Sequence, residues 1–119
     1  MISLPDEEYV HRDGVTYCTM RQQVLHCIGM DGSSPRHRPY TRHGRKFYKP
    51  WRNYFASLRN DKTWEPLVAE GLAAKRDYTT RAQYGGKEHS VEGTTYWLTR
   101  KGLDWLGEQI GVTIHDEEK

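Results

Sequence analysis

Apolar and aromatic residues recur every three or four positions in four stretches of the chain, the spacing that places them on one face of a helix. The stretches cover residues 20–28, 51–58, 64–72 and the segment between Thr99 and Gly111. Thr19, Thr63 and Thr99 stand directly before three of them, where a hydroxyl can accept a bond from an unpaired backbone amide. Glycines follow the same three stretches and favour their termination. The pattern therefore predicts four short helices.

The segment between the last two predicted helices has the composition of strands. Residues 73–78 are predicted to form one strand, and the β-branched and aromatic residues 94–98 the strand that returns. Gly85 and Gly86 lie between them in a turn. Residues 1–17 are expected to be irregular or to form a short strand over residues 15–17. The chain is therefore expected to be α+β, with a β-hairpin in its C-terminal half.

Positive charge is concentrated in one part of a chain whose formal net charge is only +2. Residues 32–60 contain eight cations and no acid. These cations are Arg36, Arg38, Arg42, Arg45, Lys46, Lys49, Arg52 and Arg59. Residues 31–47, which begin at Asp31 directly before this stretch, are rich in glycine, proline and serine and poor in apolar side chains, which predicts a long basic loop. Residues 115–119 are predicted to form an acidic tail.

Size and composition are those of one domain, expected to span residues 1–119. Four tryptophans, eight tyrosines and two phenylalanines supply large side chains to an otherwise polar sequence. No apolar run approaches the ~20 residues that cross a bilayer, and the first ten residues carry acids where a secretory signal would carry cations. We therefore expect a cytoplasmic protein without membrane contact, in which Cys18 and Cys27 are reduced.

Two segments resemble winged-helix proteins. Residues 64–72 read Trp-x-x-Leu-Val-x-x-Gly-Leu directly ahead of the predicted hairpin. Residues 96–102 read Tyr-Trp-Leu-Thr-Arg-Lys-Gly, which is similar to the Tyr-x-Leu-Thr-x-x-Gly segment that leads from the wing into the last helix of such proteins. The resemblance implies a winged-helix-like fold of three to four helices, with the basic loop inserted between the first two. It also implies that Gly102 permits close packing of helix on sheet.

A further resemblance is to a set of small phage and prophage proteins. It rests on residues 51–55, which read Trp-Arg-Asn-Tyr-Phe, followed by the pattern of residues 64–72. The similarity extends from Tyr48 to Leu106, about half of the chain. It implies a small accessory protein and carries no activity that can be transferred residue by residue.

The motifs of common catalytic and metal sites do not occur in this sequence. There is no nucleophile elbow, no phosphate-binding loop and no dinucleotide-binding glycine pattern. His26 and Cys27 are adjacent, so on a helix their side chains diverge by about 100°, and His37 and His43 lie in the basic loop. Neither pair has the spacing of zinc ligands. We therefore expect a protein that is not an enzyme and binds no cofactor or metal.

The acid-free run of cations favours contact with the phosphates of nucleic acid. In a winged helix the recognition helix would be residues 64–72, but that segment carries Glu65 and Glu70 and no cation. The basic loop is the stronger candidate, since Tyr40 and two histidines within it could stack on unpaired bases. The leading hypothesis is a non-enzymatic phage-type accessory protein that contacts DNA or RNA through seven residues. They are Arg36, Arg38, Arg42, Arg45, Lys46, Lys49 and Arg52.

Two other functions fit the same residues. The basic stretch could dock on an acidic protein surface, which would make the protein an inhibitor of a host defence protein or of a nucleoprotein complex. Trp51 and Tyr54 are then the predicted partner-binding residues, because interfaces are rich in Trp, Tyr and Arg. A homodimeric or otherwise structural module without a nucleic-acid role is the third hypothesis.

Overall fold

The computed structural model describes residues 2–116, which form three small sheets and three α-helices. In chain order the elements are β1 (Tyr9–Arg12), β2 (Val15–Cys18), α1 (Met20–Cys27), β3 (Tyr40–Arg42), β4 (Arg45–Tyr48), β5 (Phe55–Ser57), α2 (Trp64–Ala69), β6 (Ala73–Tyr84), β7 (Lys87–Leu98), α3 (Arg100–Ile110) and β8 (Thr113–Ile114). A 3₁₀ turn covers Pro35–His37. The strand orders are β1–β2, β3–β4–β8 and β5–β7–β6. Paired strands are antiparallel, except that β4 and β8 are parallel.

The helix-rich winged-helix architecture predicted from the sequence is wrong. Strands take up 38% of the described residues and helices 24%, so the protein is an α+β fold made mainly of sheet. Two segments differ in kind from the prediction, and the C-terminal-half hairpin is longer than predicted. The sequence predicts a loop over residues 31–47 and a helix over residues 51–58, and both segments contain strands.

The segment 51–58 is extended because an asparagine side chain continues a sheet there. The Asn53 amide donates from Nδ2 to the Leu98 carbonyl and accepts the Leu98 N–H at Oδ1, both at 2.9 Å. The Asn53 side chain thus makes the two hydrogen bonds to β7 that the backbone of a neighbouring strand would make. β5 follows at once and pairs Phe55 with Tyr96. The aromatic spacing of residues 51–58 is helical, but long-range hydrogen bonding outweighs that local pattern.

The predicted basic loop is largely a hairpin. β3 and β4 pair in register from Tyr40 opposite Phe47 to Arg42 opposite Arg45. The two residues between the strands, His43 and Gly44, have φ values of 52° and 73°. Positive φ at both central positions is what a type I′ turn requires, and such a turn matches the twist of paired strands. The three-residue 3₁₀ turn accounts for a further part of residues 31–47.

The predicted starts of α1, α2 and α3 are correct in position, but the hydrogen bond expected at the start of α2 is made by a different residue. Thr19 and Thr99 accept bonds from the amides of residues 22 and 102, as expected for caps. Thr63 makes no such bond. Instead, Asp61 Oδ1 accepts the amides of Thr63 at 2.8 Å and Trp64 at 3.1 Å. The Asp61 carboxylate, two positions before Thr63, therefore caps the start of α2.

The C-terminal-half hairpin is present and much longer than predicted, since β6 and β7 have 12 residues each. Gly85 and Gly86 form its turn, both at positive φ. β5 covers only residues 94–96 of β7, so the outer part of the hairpin is flanked by no other strand of the described chain. The ring of Tyr78 lies over Gly93 directly opposite, where a Cβ would come within 2.5 Å of the phenol.

Aromatic rings hold the core together. Phe55, Trp64 and Tyr96 stack in sequence, with centroids 5.3 Å and 5.5 Å apart. The Tyr96 hydroxyl donates to Glu65 at 2.7 Å. Burial, followed by the Glu65 contact, raises the pKa of Tyr96 to about 12. The stack thereby joins β5, α2 and β7 through the core.

The junction of α3 with the sheet depends on a glycine. A Cβ at Gly102 would lie 1.8 Å from the Leu72 carbonyl oxygen, so only glycine permits this approach, as the resemblance implied. Trp97 is half-buried and not part of the core, because it lies on the opposite face of β7 from buried Tyr96 and Leu98.

Of the predicted acidic tail, residues 117–119 lie outside the described chain, and the first two residues are attached to the fold. The His115 amide donates to the Tyr48 carbonyl at 2.9 Å. Asp116 binds Arg100 at 2.8 Å. Cys18 and Cys27 are not joined in a disulfide; Cys18 is exposed, and Cys27 is buried with its thiol donating to Asn53 Oδ1 at 3.3 Å.

Replacing Asn53 by Ala should lower the free energy of unfolding by about 2–3 kcal/mol. The change leaves the N–H and C=O of Leu98 without partners, and an unsatisfied buried polar group costs about 1–3 kcal/mol. Urea denaturation measures the change. The control is Gln83→Ala, which removes an exposed amide from β6 and should shift stability by less than ~0.5 kcal/mol. Equal effects of the two substitutions would contradict the role assigned to Asn53.

Candidate nucleic-acid interface

The β3–β4–β8 sheet has one buried and one exposed face. Tyr48 and Ile114 are opposite each other in the ladder and face the core, with 1% and 3% of their surfaces exposed. Because side chains alternate along a strand, Tyr40, Arg42, Arg45 and Phe47 lie on the other side. We call these four residues, together with His115, the cationic–aromatic face.

Two arginines oppose each other on this face. Arg42 and Arg45 are directly cross-strand, at the end of the hairpin. Like charges in that position destabilise a strand pair. Neither guanidinium forms an ion pair with a carboxylate of the described residues. The arrangement therefore concentrates positive charge at a site where folding gains nothing from it.

A row of three rings lies beside the arginines. Tyr40 stacks on Phe47 with centroids 5.8 Å apart and planes 24° apart. Phe47 stacks on His115 at 5.8 Å and 7°. The row crosses the strands, so Tyr40 is its outer end on the edge strand β3, with 46% of its surface exposed. Among the described residues no other ring and no guanidinium stacks on Tyr40.

Tyr48 fixes this sheet to the rest of the protein. Its hydroxyl donates to the Ile28 carbonyl at the end of α1 at 2.9 Å. Burial, and after it the charge of Asp31, raises the pKa of Tyr48 to about 12. Two residue pairs with β8 complete the attachment. The cationic–aromatic face is thereby held in a fixed orientation.

The other predicted cations are distributed over different surroundings. Lys46 lies on the reverse of the hairpin. Together with Arg45 it lines a groove of about 920 Å³ whose wall also includes Asp104 and Glu108 of α3. Arg36 and Arg38 are exposed in and after the 3₁₀ turn. Arg38 donates to the Ser34 carbonyl at 3.3 Å. Lys49 is exposed directly after β4.

Arg52 belongs to a separate aromatic cluster with the two predicted partner-binding residues. Its guanidinium lies 4.1 Å from the ring centre of Tyr54 and 5.7 Å from that of Trp51. The Trp51 indole is largely used within the fold: it donates to the Gly29 carbonyl at 2.9 Å and stacks on His37 at 4.7 Å. Tyr54 is 51% exposed and is the more accessible of the two.

His37 is held in place by an acid at the start of the basic segment. Asp31 contacts the His37 ring nitrogen at 3.0 Å and Ser33 at 2.6 Å and 2.8 Å. Hydrogen bonds from Ser33, then His37, lower the pKa of Asp31 to about 2. His37 is therefore committed to Trp51 and Asp31 and does not join the cationic–aromatic face.

Sequence reasoning finds the cations of this face and Tyr40, but not Phe47 or His115. In the sequence, Phe47 lies at the start of the aromatic cluster that follows the basic stretch. If residues 45–48 are taken as a strand, Phe47 faces away from buried Tyr48 and lies beside Tyr40. His115 carries no signal, because its position depends on β8. Among residues 2–116, no three His, Cys, Asp or Glu side chains gather closely enough to hold a metal ion. None of the helices there is long and apolar enough to cross a membrane.

Replacing Tyr48 by Phe should lower the free energy of unfolding by about 1–2 kcal/mol at neutral pH, since the Ile28 carbonyl loses its donor. Because the folded-state pKa is raised, the stability contributed by the neutral phenol is complete below pH 10 and is lost as pH rises towards 12. The variant should therefore lose less stability between those pH values, as measured by urea denaturation.

Tyr9→Phe, which changes an exposed tyrosine, is the control for this substitution. An alkaline stability loss in Tyr48→Phe as large as that of the unaltered protein would show that Tyr48 does not carry the effect.

No protein-family model matches the chain, and neither a curated protein nor a solved structure does so significantly. The resemblance to small phage and prophage proteins stays a prediction. The case for function depends on the chemistry of the surfaces described above.

Proposed function

We propose that the protein binds nucleic acid through the cationic–aromatic face, with a preference for unpaired strands. The observation that supports this most strongly is the cross-strand pair Arg42 and Arg45, which has no acidic partner among the described residues and lies beside a row of stacked rings. A polyanion with flat bases satisfies both halves of such a surface.

The arginines supply the phosphate contacts. A guanidinium presents several donors in a plane that matches two phosphate oxygens, and each phosphate neutralised releases condensed counterions. An anion between Arg42 and Arg45 would also remove their mutual repulsion. The same charge pair that weakens the free hairpin therefore favours the bound one.

The rings supply the preference for unpaired bases. Tyr40 is two residues from Arg42 on the same side of β3, about 6.6 Å along the strand. A base placed on the open side of Tyr40 would lengthen the ring row by one member while its phosphate lies near the arginines. Bases in a duplex are stacked on each other and are not free to do this.

Replacing Arg42 and Arg45 by Gln together should weaken binding by at least about tenfold, since a hydrogen bond to a charged group is worth about 1.5–3 kcal/mol. The salt slope for a single strand should fall by about 1.4, which is ~0.7 for each phosphate that is no longer neutralised. Fluorescence anisotropy with labelled oligonucleotides of about 12 residues, at several salt concentrations, measures both.

The matched control for this pair is Arg12→Gln with Arg76→Gln, which removes the same charge from exposed positions on β1 and β6. If the control weakens binding as much as the test variant, binding follows net charge and not this face. No binding of any oligonucleotide by the unaltered protein at low salt would reject the proposed function.

Replacing Tyr40 by Leu should weaken single-strand binding by roughly tenfold and leave duplex binding unchanged, because stacking is worth about 1–3 kcal/mol per base. Tyr84→Leu is the control, since Tyr84 is 62% exposed at the far end of the β6–β7 hairpin. Equal losses for single strand and duplex would contradict the preference for unpaired bases, but not phosphate binding itself.

Inhibition of a protein partner is the second candidate function, and the exposure of Tyr54 beside Arg52 supports it. Tyrosine and arginine are the residue types that dominate binding energy at interfaces. If the protein binds no oligonucleotide and Tyr54→Ala abolishes its biological effect, these results favour inhibition of a protein partner over nucleic-acid binding.

A further inference from the structure

One edge of the long hairpin is open. β6 is the last strand of the β5–β7–β6 sheet, so its outer edge is paired with no other strand of residues 2–116. At its base β6 lies near α2, where Lys75 binds Glu65 at 2.8 Å. From Asp77 to Arg81 every residue is exposed. An exposed edge strand of this length is a template for another strand.

Hairpin geometry decides which backbone groups face that edge. Tyr84 and Lys87 close a two-residue turn, and such a closing pair exchanges both of its hydrogen bonds. Bonded and non-bonded pairs alternate along an antiparallel ladder. Asp77, Thr79 and Arg81 therefore direct their N–H and C=O groups outward, away from β7.

Charge selects one register for pairing with a second copy. If the two-fold axis passes at Thr79, Asp77 of each copy opposes Arg81 of the other, and both opposite-charge pairs form. An axis at Asp77 or Arg81 places like charges directly opposite. An axis at Tyr78 places Lys75 of one copy opposite Arg81 of the other. The register at Thr79 is thus favoured by electrostatics over these neighbours.

We propose that the protein forms a symmetric homodimer by antiparallel pairing of β6 with β6 of a second copy, centred on Thr79. The two hairpins join into one continuous sheet, and the interface is isologous, as two-fold symmetry requires. This proposal is independent of nucleic-acid binding, because it uses neither Arg42, Arg45 nor the ring row.

The existing contacts of the two charged residues leave them available. Asp77 accepts the Thr94 hydroxyl at 2.7 Å with Oδ1 only. Arg81 meets Glu88 at 3.4 Å, and 77% of its side chain is exposed, so this surface ion pair contributes little. Asp77 can therefore bond to Arg81 across the axis and keep its contact with Thr94, while Arg81 would give up at most this weak surface ion pair.

The test is sedimentation equilibrium of the full chain without nucleic acid, across a wide range of concentrations. The unaltered protein should be dimeric at the upper end. Asp77→Arg and Arg81→Asp should each weaken association by at least tenfold, because each places like charges across the axis. The double variant Asp77→Arg with Arg81→Asp restores opposite pairs and should regain the dimer.

Thr79→Pro is a second, backbone-directed variant. Proline is tolerated where a strand N–H faces outward, so the hairpin should persist in circular dichroism while the dimer is lost. A monomeric unaltered protein at all concentrations overturns the proposal. So does a double charge variant that stays as weak as the single ones, or a Thr79→Pro variant that associates normally.

Discussion

The placement of the exposed surface depends on the burial of one tyrosine. The β3–β4 hairpin is polar apart from its rings, and a two-stranded ribbon is marginally stable alone. Tyr48 inserts into the core, binds the Ile28 carbonyl and aligns β4 with β8. This attachment makes a segment with the composition of a loop into a sheet with two defined faces. Without it, the arginines and rings would share no common side.

The interior is built from few, large side chains. A chain with 35% hydrophobic residues has little aliphatic material, and the stack of Phe55, Trp64 and Tyr96 supplies much of the buried area. At the border of the apolar core, polar side chains bond to the backbone, as Asn53 does with Leu98. The aromatic residues are consequently divided between the core, two exposed clusters and exposed positions on the β1–β2 and β6–β7 hairpins.

Positive charge is likewise divided by the fold. The seven cations that are close in sequence occupy several environments. Arg42 and Arg45 form no ion pair among the described residues, Arg45 and Lys46 both line the groove that includes Asp104 and Glu108, and Arg52 lies beside the rings of Trp51 and Tyr54. Arg42 and Arg45 are the pair that shares one face with the row of three rings. A count of basic residues would therefore overstate the number that act together, and the proposed interface is smaller and more specific than the basic stretch.

The sequence by itself determined the elements whose signals are local: the capped helices α1 and α3, the turn at Gly85 and Gly86, the glycine at Gly102 and the location of the cations. These depend on neighbouring residues within one turn or one strand. Tertiary structure decided the rest. The conformation of residues 51–58 is set by Leu98, the ring row needs His115 beside Phe47, and β4 needs β8. Each is a contact across 45 to 68 positions of chain, and no local pattern encodes a partner at that separation.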